Sequence, residues 1–496
     1  AAGFCRLANV KPSIVGGRLK ITRMTDSQPT SPAEHSATEW RVYDAVAAGL
    51  PSTIAELSRL VRIPSVSWAA YDPENVRASA DAVAALLTGT GAFDTVEVKR
   101  APIQGGTLGQ PAVLATRAAR NGRPTVLLYA HHDVQPQGDA AGWDTPPFEP
   151  TVRGDRLYGR GAADDKAGVM VHVASVRALA EALGPDFDLG LAVFIEGEEE
   201  FGSRSFANFL AENKTALSAD VIIVADSYNV DADTPALTVS LRGNVTFTLT
   251  VSTLEHASHS GMYGGAAPDA MLALVKLLAT LHDENGEVAV EGFLAHTPAP
   301  EPPHLPEEQF RKDAALLPGV TPIGSGPLLS RLWSKPTVTV TGVDAPSVAD
   351  ASNTLLASVA VRLSARVAPG QPAADVFSAL ERHLRAHAPF GAHIAIEDVD
   401  TGEAFLVDTG GWAAAEAKRA MADGWGKGAV ETGVGGSIPF IADLVREFPA
   451  AQILVTGVED PDTRAHSPNE SLHLGVFKRA VLSEALLLAR LSVYSE

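Results

Sequence analysis

Histidines and carboxylates recur where apolar runs of this chain end, and those are the positions where metal or proton-transfer chemistry is expected. The segment LLYAHHDVQP carries an apolar strand straight into His131, His132 and Asp133. Open α/β sheets place their ligands at such strand ends. Side chains alternate across a strand, so His131 and Asp133 share one side while His132 points to the other. Alone, the segment reads equally well as a surface-loop histidine pair; three further segments change its meaning. LYGRGAADDKAG sets Asp164 and Asp165 at the mouth of a long helix, where a carboxylate ordinarily acts as a cap. IEGEEEFGS ends another apolar strand with Glu196, Glu198, Glu199 and Glu200, which repel one another unless cations offset them. VIIVADS ends a third strand in Asp226. The single cysteine, Cys5, excludes an internal disulfide and a thiolate zinc site, so a metal must be held by His, Asp and Glu. Three strands delivering these groups to one edge point to a hard-cation or zinc site.

The elements that must position these groups follow from periodicity. TVLLYA (125–130), GVMVHVASVRALAEAL (168–183), LGLAVFIE (189–196) and DVIIVAD (220–226) alternate short apolar strands with a long helical pattern, which predicts an α/β fold with a mainly parallel sheet. Before them, a helical pattern from Ala45 is interrupted by Gly49 and Pro51 and stops at Pro64. Near Pro235 the texture changes to LTVSLRGNVTFTLTVS, whose period of two predicts an antiparallel strand pair and the start of a second domain. A helix over 271–284, a Pro-rich connection from His296 to Pro306, further strands and another helix follow, and from Trp412 the first texture returns. A chain of 496 residues, 46% hydrophobic and 20% charged, suits two or three folding units with sizeable cores. Its net charge of -20 argues against nucleic acid and anionic membrane surfaces as partners. No apolar run reaches the ~18 residues of a membrane span. Ala1–Arg23 carry five basic residues and no acidic one, and read as an extension ahead of Met24 rather than a targeting peptide.

Taken in order, these motifs resemble the aminoacylase/carnosinase family of di-zinc metallopeptidases, most closely its dipeptidase branch. The resemblance runs from about Ala37 to the C-terminus. It implies a mainly parallel-sheet di-zinc peptidase domain (37–234 and 398–496) with an inserted α+β lid and dimerisation domain (235–397), after a flexible extension over 1–36. It implies that His131 and Asp226 bind one zinc, that Glu200 and His466 of GVEDPDTRAHSPNE bind the other, and that Asp164 bridges both. Manganese or cobalt are the alternatives to zinc. In the same way Glu199 becomes the general base towards a metal-activated water, and Asp133 orients the His131 ring. His259 of ASHSGMYGG becomes an oxyanion donor reaching the partner subunit of a homodimer joined through the lid. Arg366 of VRLSARVAPG, with Gly436 and Ser437 of the GGSIP turn, becomes the receptor of a substrate carboxylate. His132, Asp165, Glu196 and Glu198 remain surface or supporting residues.

Two departures from the family pattern stand out. Gly433 and Val434 precede the GGSIP turn where relatives often have Arg or Glu, and Leu356 stands where a proline is common after Asn353. The implied reaction is hydrolysis of dipeptides or short peptides by a cytoplasmic enzyme. Asp226, where acylase branches tend to carry Glu, favours this over an N-acyl amino acid hydrolase, and retention of Glu199, Asp133 and every ligand argues against a non-catalytic binding relative. No nucleic acid or membrane partner is implied.

Overall fold

The computed structural model describes residues 12–15, 18–21, 35–103, 105–295, 303–407, 409–435 and 439–494. Its large sheet runs in the order Phe405–Leu406, Ala236–Leu241, Gln452–Thr456, Val221–Ala225, Thr125–His131, Gly190–Glu196, Ala112–Arg117, Thr95–Lys99, with Val430–Val434 also paired to the 236–241 strand. The four inner strands, 452–456, 221–225, 125–131 and 190–196, are mutually parallel. Both faces of these strands are covered, which is why they read as unbroken apolar runs. Val126, Leu128 and Ala130 enter a core shared with helices Ala37–Val61, Lys166–Leu183 and Leu474–Leu491. Leu127 and Tyr129 enter a second core with Phe206, Phe209 and Phe440 on the opposite face. The mixed α/β architecture with a mainly parallel sheet is therefore as the periodicity predicts.

The first helix ends just ahead of Pro64, as the sequence suggests, but the interruption expected at Gly49 and Pro51 does not occur. The helix continues from Ala37 to Val61 through Pro51, with a Ser36/Glu39 capping box at its start. Proline removes one helical donor; the hydroxyls of Ser52 and Thr53 both donate to the Gly49 carbonyl at 2.7 and 3.0 Å beside it. The helix expected over 271–284 is shorter, Ala270–Leu278 with one 3₁₀ turn after it.

The Thr/Val run near Pro235 also differs from expectation. Its two halves do not pair with each other. Ala236–Leu241 joins the large sheet, whereas Gly243–Ser252 lies in a separate antiparallel sheet of order Thr337–Asp344, Ser358–Val367, Gly243–Ser252, His393–Gly402. The 243–252 strand alternates strictly between buried and half-buried positions, since only one face is covered, by helices Ala270–Leu278 and Ala373–His387. At the switch, a Cβ on Gly243 would lie 2.5 Å from the Gly402 carbonyl, so only glycine fits. The chain returns to the large sheet at Phe405, directly opposite Leu241 in the register. Leu356, in place of a proline, uses its N–H: it donates at 2.7 Å to Asp269, the N-cap of the 270–278 helix.

Within the N-terminal stretch, Pro12–Val15 and Arg18–Ile21 pair as an antiparallel hairpin. The rest of the expected flexible extension up to residue 34, most of the Pro-rich connection, and Gly436 and Ser437 lie outside the described residues.

Candidate metal centre

Strand ends and one helix mouth converge at the carboxyl edge of the parallel strands. His131 is the last residue of its strand, Asp226 follows the 221–225 strand, Glu199 and Glu200 lie in a 3₁₀ turn after the 190–196 strand, and Asp164 precedes the 166–183 helix. His466 arrives from the distant C-terminal segment. These groups form two triads, His131–Asp164–Asp226 and Asp164–Glu200–His466, in each of which the potential ligand atoms lie within 4.8 Å of one another. Asp164 belongs to both. Its carboxylate oxygens face the two histidines, with Oδ1 3.2 Å from His131 Nε2 and Oδ2 2.9 Å from His466 Nε2. His466 Nε2 is also 3.2 Å from Glu200.

Asp133 organises the inner wall. The Nδ1 of His131 lies 3.1 Å from the Asp133 carbonyl and 3.3 Å from its carboxylate, which fixes Nδ1–H as donor and turns the Nε2 lone pair into the cage. The same carboxylate accepts from Ser67 Oγ at 2.7 Å and from the backbone N–H groups of Glu199 and Glu200 at 3.1 and 3.2 Å. One buried acid thus ties the histidine to the turn that carries both glutamates. Glu200 is held in turn by the backbone and side-chain nitrogens of Gln135, at 3.1 and 2.6 Å. The Glu199 carboxylate makes no hydrogen bond among the described residues and lies 4.0 Å from His131 Nε2.

The electrostatics match a cage built for cations. Burial and the proximity of Asp164 push Glu200 up to about 7, and burial pushes Asp226 up to about 6. Burial likewise holds Glu199 well above the carboxylate range. Burial opposes charge on Asp164 too, but hydrogen bonds from both histidines outweigh it and keep this acid ionised below the usual range. Hydrogen bonds to Asp164 and Glu200 raise His466 to about 11. His131 also rises, its acidic partners overcoming burial. Carboxylates that retain protons and histidines that act as counter-cations are what such a donor set does without a metal; all-oxygen and imidazole donors in two triads sharing one carboxylate fit two divalent ions.

The residues read as surface or supporting are all buried. His132 is fully enclosed, its Nε2 2.9 Å from the Pro111 carbonyl, and burial lowers it to about 4. Asp165 accepts from the His131 N–H at 3.1 Å, Glu198 from Ser205 N–H at 2.7 Å, and Glu196 from the Tyr129 hydroxyl at 2.7 Å. Their surface reading is corrected: an apolar strand cannot end in so many acids at a closed sheet edge unless each is bonded. The loop that brings His466 has Arg464, His466 and Asn469 at positive φ, a concentration of strained backbone common at functional sites.

Other predicted residues lie elsewhere. His259 is exposed, accepts from Gly261 N–H at 3.1 Å, and pairs by backbone with Thr354. It is not in either triad. Arg366 is half-buried on the 358–367 strand, with no ion pair among the described residues. Sequence reasoning missed its neighbour Arg242, whose guanidinium bonds the carbonyls of Gly435, Arg331 and Lys335 and is lowered to about 10 by burial and by Arg366. Ser67 and Gln135 were missed as well; only the backbone path that brings them beside Asp133 and Glu200 reveals them.

Comparison with known proteins gives a consistent picture. The model of the family described as Peptidase family M20/M25/M40 matches residues 127–490. The chain is 36% identical to a cysteinylglycine-S-conjugate dipeptidase of Corynebacterium striatum, over 74% of this chain and 80% of that protein. It is 27% identical to a Cys-Gly metallodipeptidase of Schizosaccharomyces pombe, over 89% of this chain and 96% of the relative. The solved di-peptidase Dug1p of Saccharomyces cerevisiae superposes with a TM-score of 0.75 at 22% identity, covering 93% of this chain and all of the other, and shares the fold. No helix among the described residues is long and apolar enough to cross a membrane.

Proposed function

Because the chain belongs to peptidase family M20/M25/M40 and is a metallopeptidase, we propose that it hydrolyses free dipeptides with two zinc ions in its cage, manganese or cobalt being alternatives. The observation that carries this reading is the pair of triads sharing Asp164, with the unbonded carboxylate of Glu199 beside them. His131 and Asp226 would hold one ion, Glu200 and His466 the other, and Asp164 both. Such an ion pair supplies Lewis acidity and lowers the pKa of water.

The chain's own residues do the rest. Glu199, whose carboxylate is free of hydrogen bonds among the described residues, takes the proton there and returns it to the leaving amine. Asp133 holds the His131 tautomer and, through two backbone N–H groups, the position of Glu199. We assign the second sheet with its helices, which spans 243–402 rather than the expected 235–397 because 236–241 belongs to the large sheet, as a lid through which two copies form a homodimer, and His259 as the oxyanion donor it brings to the neighbouring site. Arg366 receives the substrate carboxylate; its lack of an acidic partner among the described residues and the adjacent Arg242 support this, and Gly436 and Ser437 complete the receptor. The single cysteine fits a reducing, cytoplasmic setting. The named substrates of the relatives, Cys-Gly and its S-conjugates, favour a small peptide with both ends free.

The test is a substrate series on the metal-loaded protein. Unblocked dipeptides should be cleaved fastest. C-terminal amidation leaves the receptor's donors unpaired at about 1–3 kcal/mol, slowing turnover roughly tenfold or more, and Arg366→Ala should erase that difference. Chelation should abolish activity, and zinc, manganese or cobalt should restore it. Rapid cleavage of N-acyl amino acids with little turnover of dipeptides would make the enzyme an acylase, and full turnover after metal stripping would remove the metal reading.

A further inference from the structure

We propose that Glu470 is a positioning residue that sets Asp164, and through it the spacing of the two triads; the inference rests on the two-ion reading above. The Glu470 carboxylate is fully buried and accepts four hydrogen bonds. Oε1 takes the backbone N–H groups of Ala163 and Asp164 at 3.0 and 3.1 Å, and Oε2 takes that of Gly161 at 3.0 Å and Arg160 Nη1 at 2.6 Å. Its backbone carbonyl accepts a further bond from Gly159 N–H at 3.0 Å. The turn over 159–164 has no ladder partner, and three of its N–H groups converge on this one anion as in an anion-binding nest.

The arrangement constrains geometry, not only stability. Asp164 is the member common to both triads, and its own N–H is one of the four donors. Glu470 follows His466 by four residues, so one side chain fixes the segment supplying His466 against the segment supplying Asp164, whose side chains meet at 2.9 Å. Arg160, itself buried, supplies the counter-charge and donates a second bond to the Ser467 carbonyl at 3.4 Å. Glutamine has the same shape but only one acceptor oxygen, and its amide would face two donors whichever way it turned.

A built-in control lies nearby. Arg156 and Asp460 join the same two stretches by a bidentate pair at 3.0 and 3.0 Å, and none of their hydrogen bonds involves residues 159–164. The experiment titrates the metal-stripped full chain with cobalt(II) alone, following heat, visible absorption and thermal midpoint. Wild type should bind two equivalents. Glu470→Gln should bind one of them at least tenfold more weakly with an altered absorption spectrum. Asp460→Asn should lose thermal stability but bind both as wild type does. Arg160→Lys, which keeps the charge and all three backbone bonds, should show a smaller weakening and carries the test if Glu470→Gln does not fold. Wild-type affinity in both of these variants, or equal weakening in Asp460→Asn, would overturn the role of Glu470. A wild-type chain binding fewer than two equivalents would instead overturn the two-ion reading, and this inference with it.

Discussion

Glu199 and Glu200 are neighbours in sequence with opposite situations: the second is bonded twice by Gln135 and faces His466, while the first has no hydrogen bond to its carboxylate among the described residues. Changing Glu199→Gln should therefore cut turnover by about 10² or more and leave metal content near that of wild type, as measured by steady-state rates and elemental analysis of the purified variant. A loss of metal would mean that the two glutamates had been assigned the wrong way round. At this scale much was legible beforehand. Periodicity marks the strand ends and the helix mouth where His131, Asp164, Glu200 and Asp226 lie, but the choice of Asp164 and Glu200 among their acidic neighbours, and of His466, comes from the family resemblance. Gln135, Ser67 and Arg242 could not, because their role arises from contacts between distant segments and none carries a type or spacing that marks it.

Between elements, the most consequential contact is the one that clamps the 166–183 helix to the last long helix of the large-sheet core. His172 of the 166–183 helix lies 2.9 Å from Glu484 of the 474–491 helix through Nδ1, and 2.9 Å from the Tyr129 carbonyl through Nε2. With an acceptor at each nitrogen the ring is held in its charged form; burial opposes this, but Glu484 and the carbonyl raise the histidine above its ordinary 6.5. The folded chain binds this proton more tightly than the unfolded one. Its contribution is therefore complete below about 6.5 and is withdrawn as pH climbs through the raised value, by about 1.4 kcal/mol per unit between the two. Thermal midpoints of wild type and His172→Gln should accordingly lie furthest apart near pH 6 and converge in the alkaline range; a gap that stays constant with pH would refute the charged pair. Sequence reading saw both helices but not this pairing. The strand pair expected after Pro235 fails because local signals report what a residue prefers, not that Ala236–Leu241 finds a place in a sheet whose other strands lie far away in the chain.

For the molecule as a whole, the separation of His259 from the two triads has a direct test. If the lid of one copy serves the site of the other, mixing His259→Ala with Glu199→Gln subunits, each nearly inactive, should restore part of the activity, because one site of the mixed dimer is intact in both respects. A verified mixed dimer with no recovery would place His259 outside the reaction of its neighbour. The return of the chain at Phe405 opposite Leu241 bears on the same division. Seen from the large sheet, those two residues are the last rung of a β-hairpin, and everything from Arg242 to Ala404 is its loop. All five ligand-type residues, Asp133, Glu199 and Glu470 lie outside that loop. A chain cut after Leu241 and rejoined at Phe405 by a two-residue Asn-Gly turn should therefore still take up two equivalents of cobalt in a binding titration while losing dipeptide turnover, an outcome that would make substrate handling a detachable attribute of a self-sufficient metal-binding body.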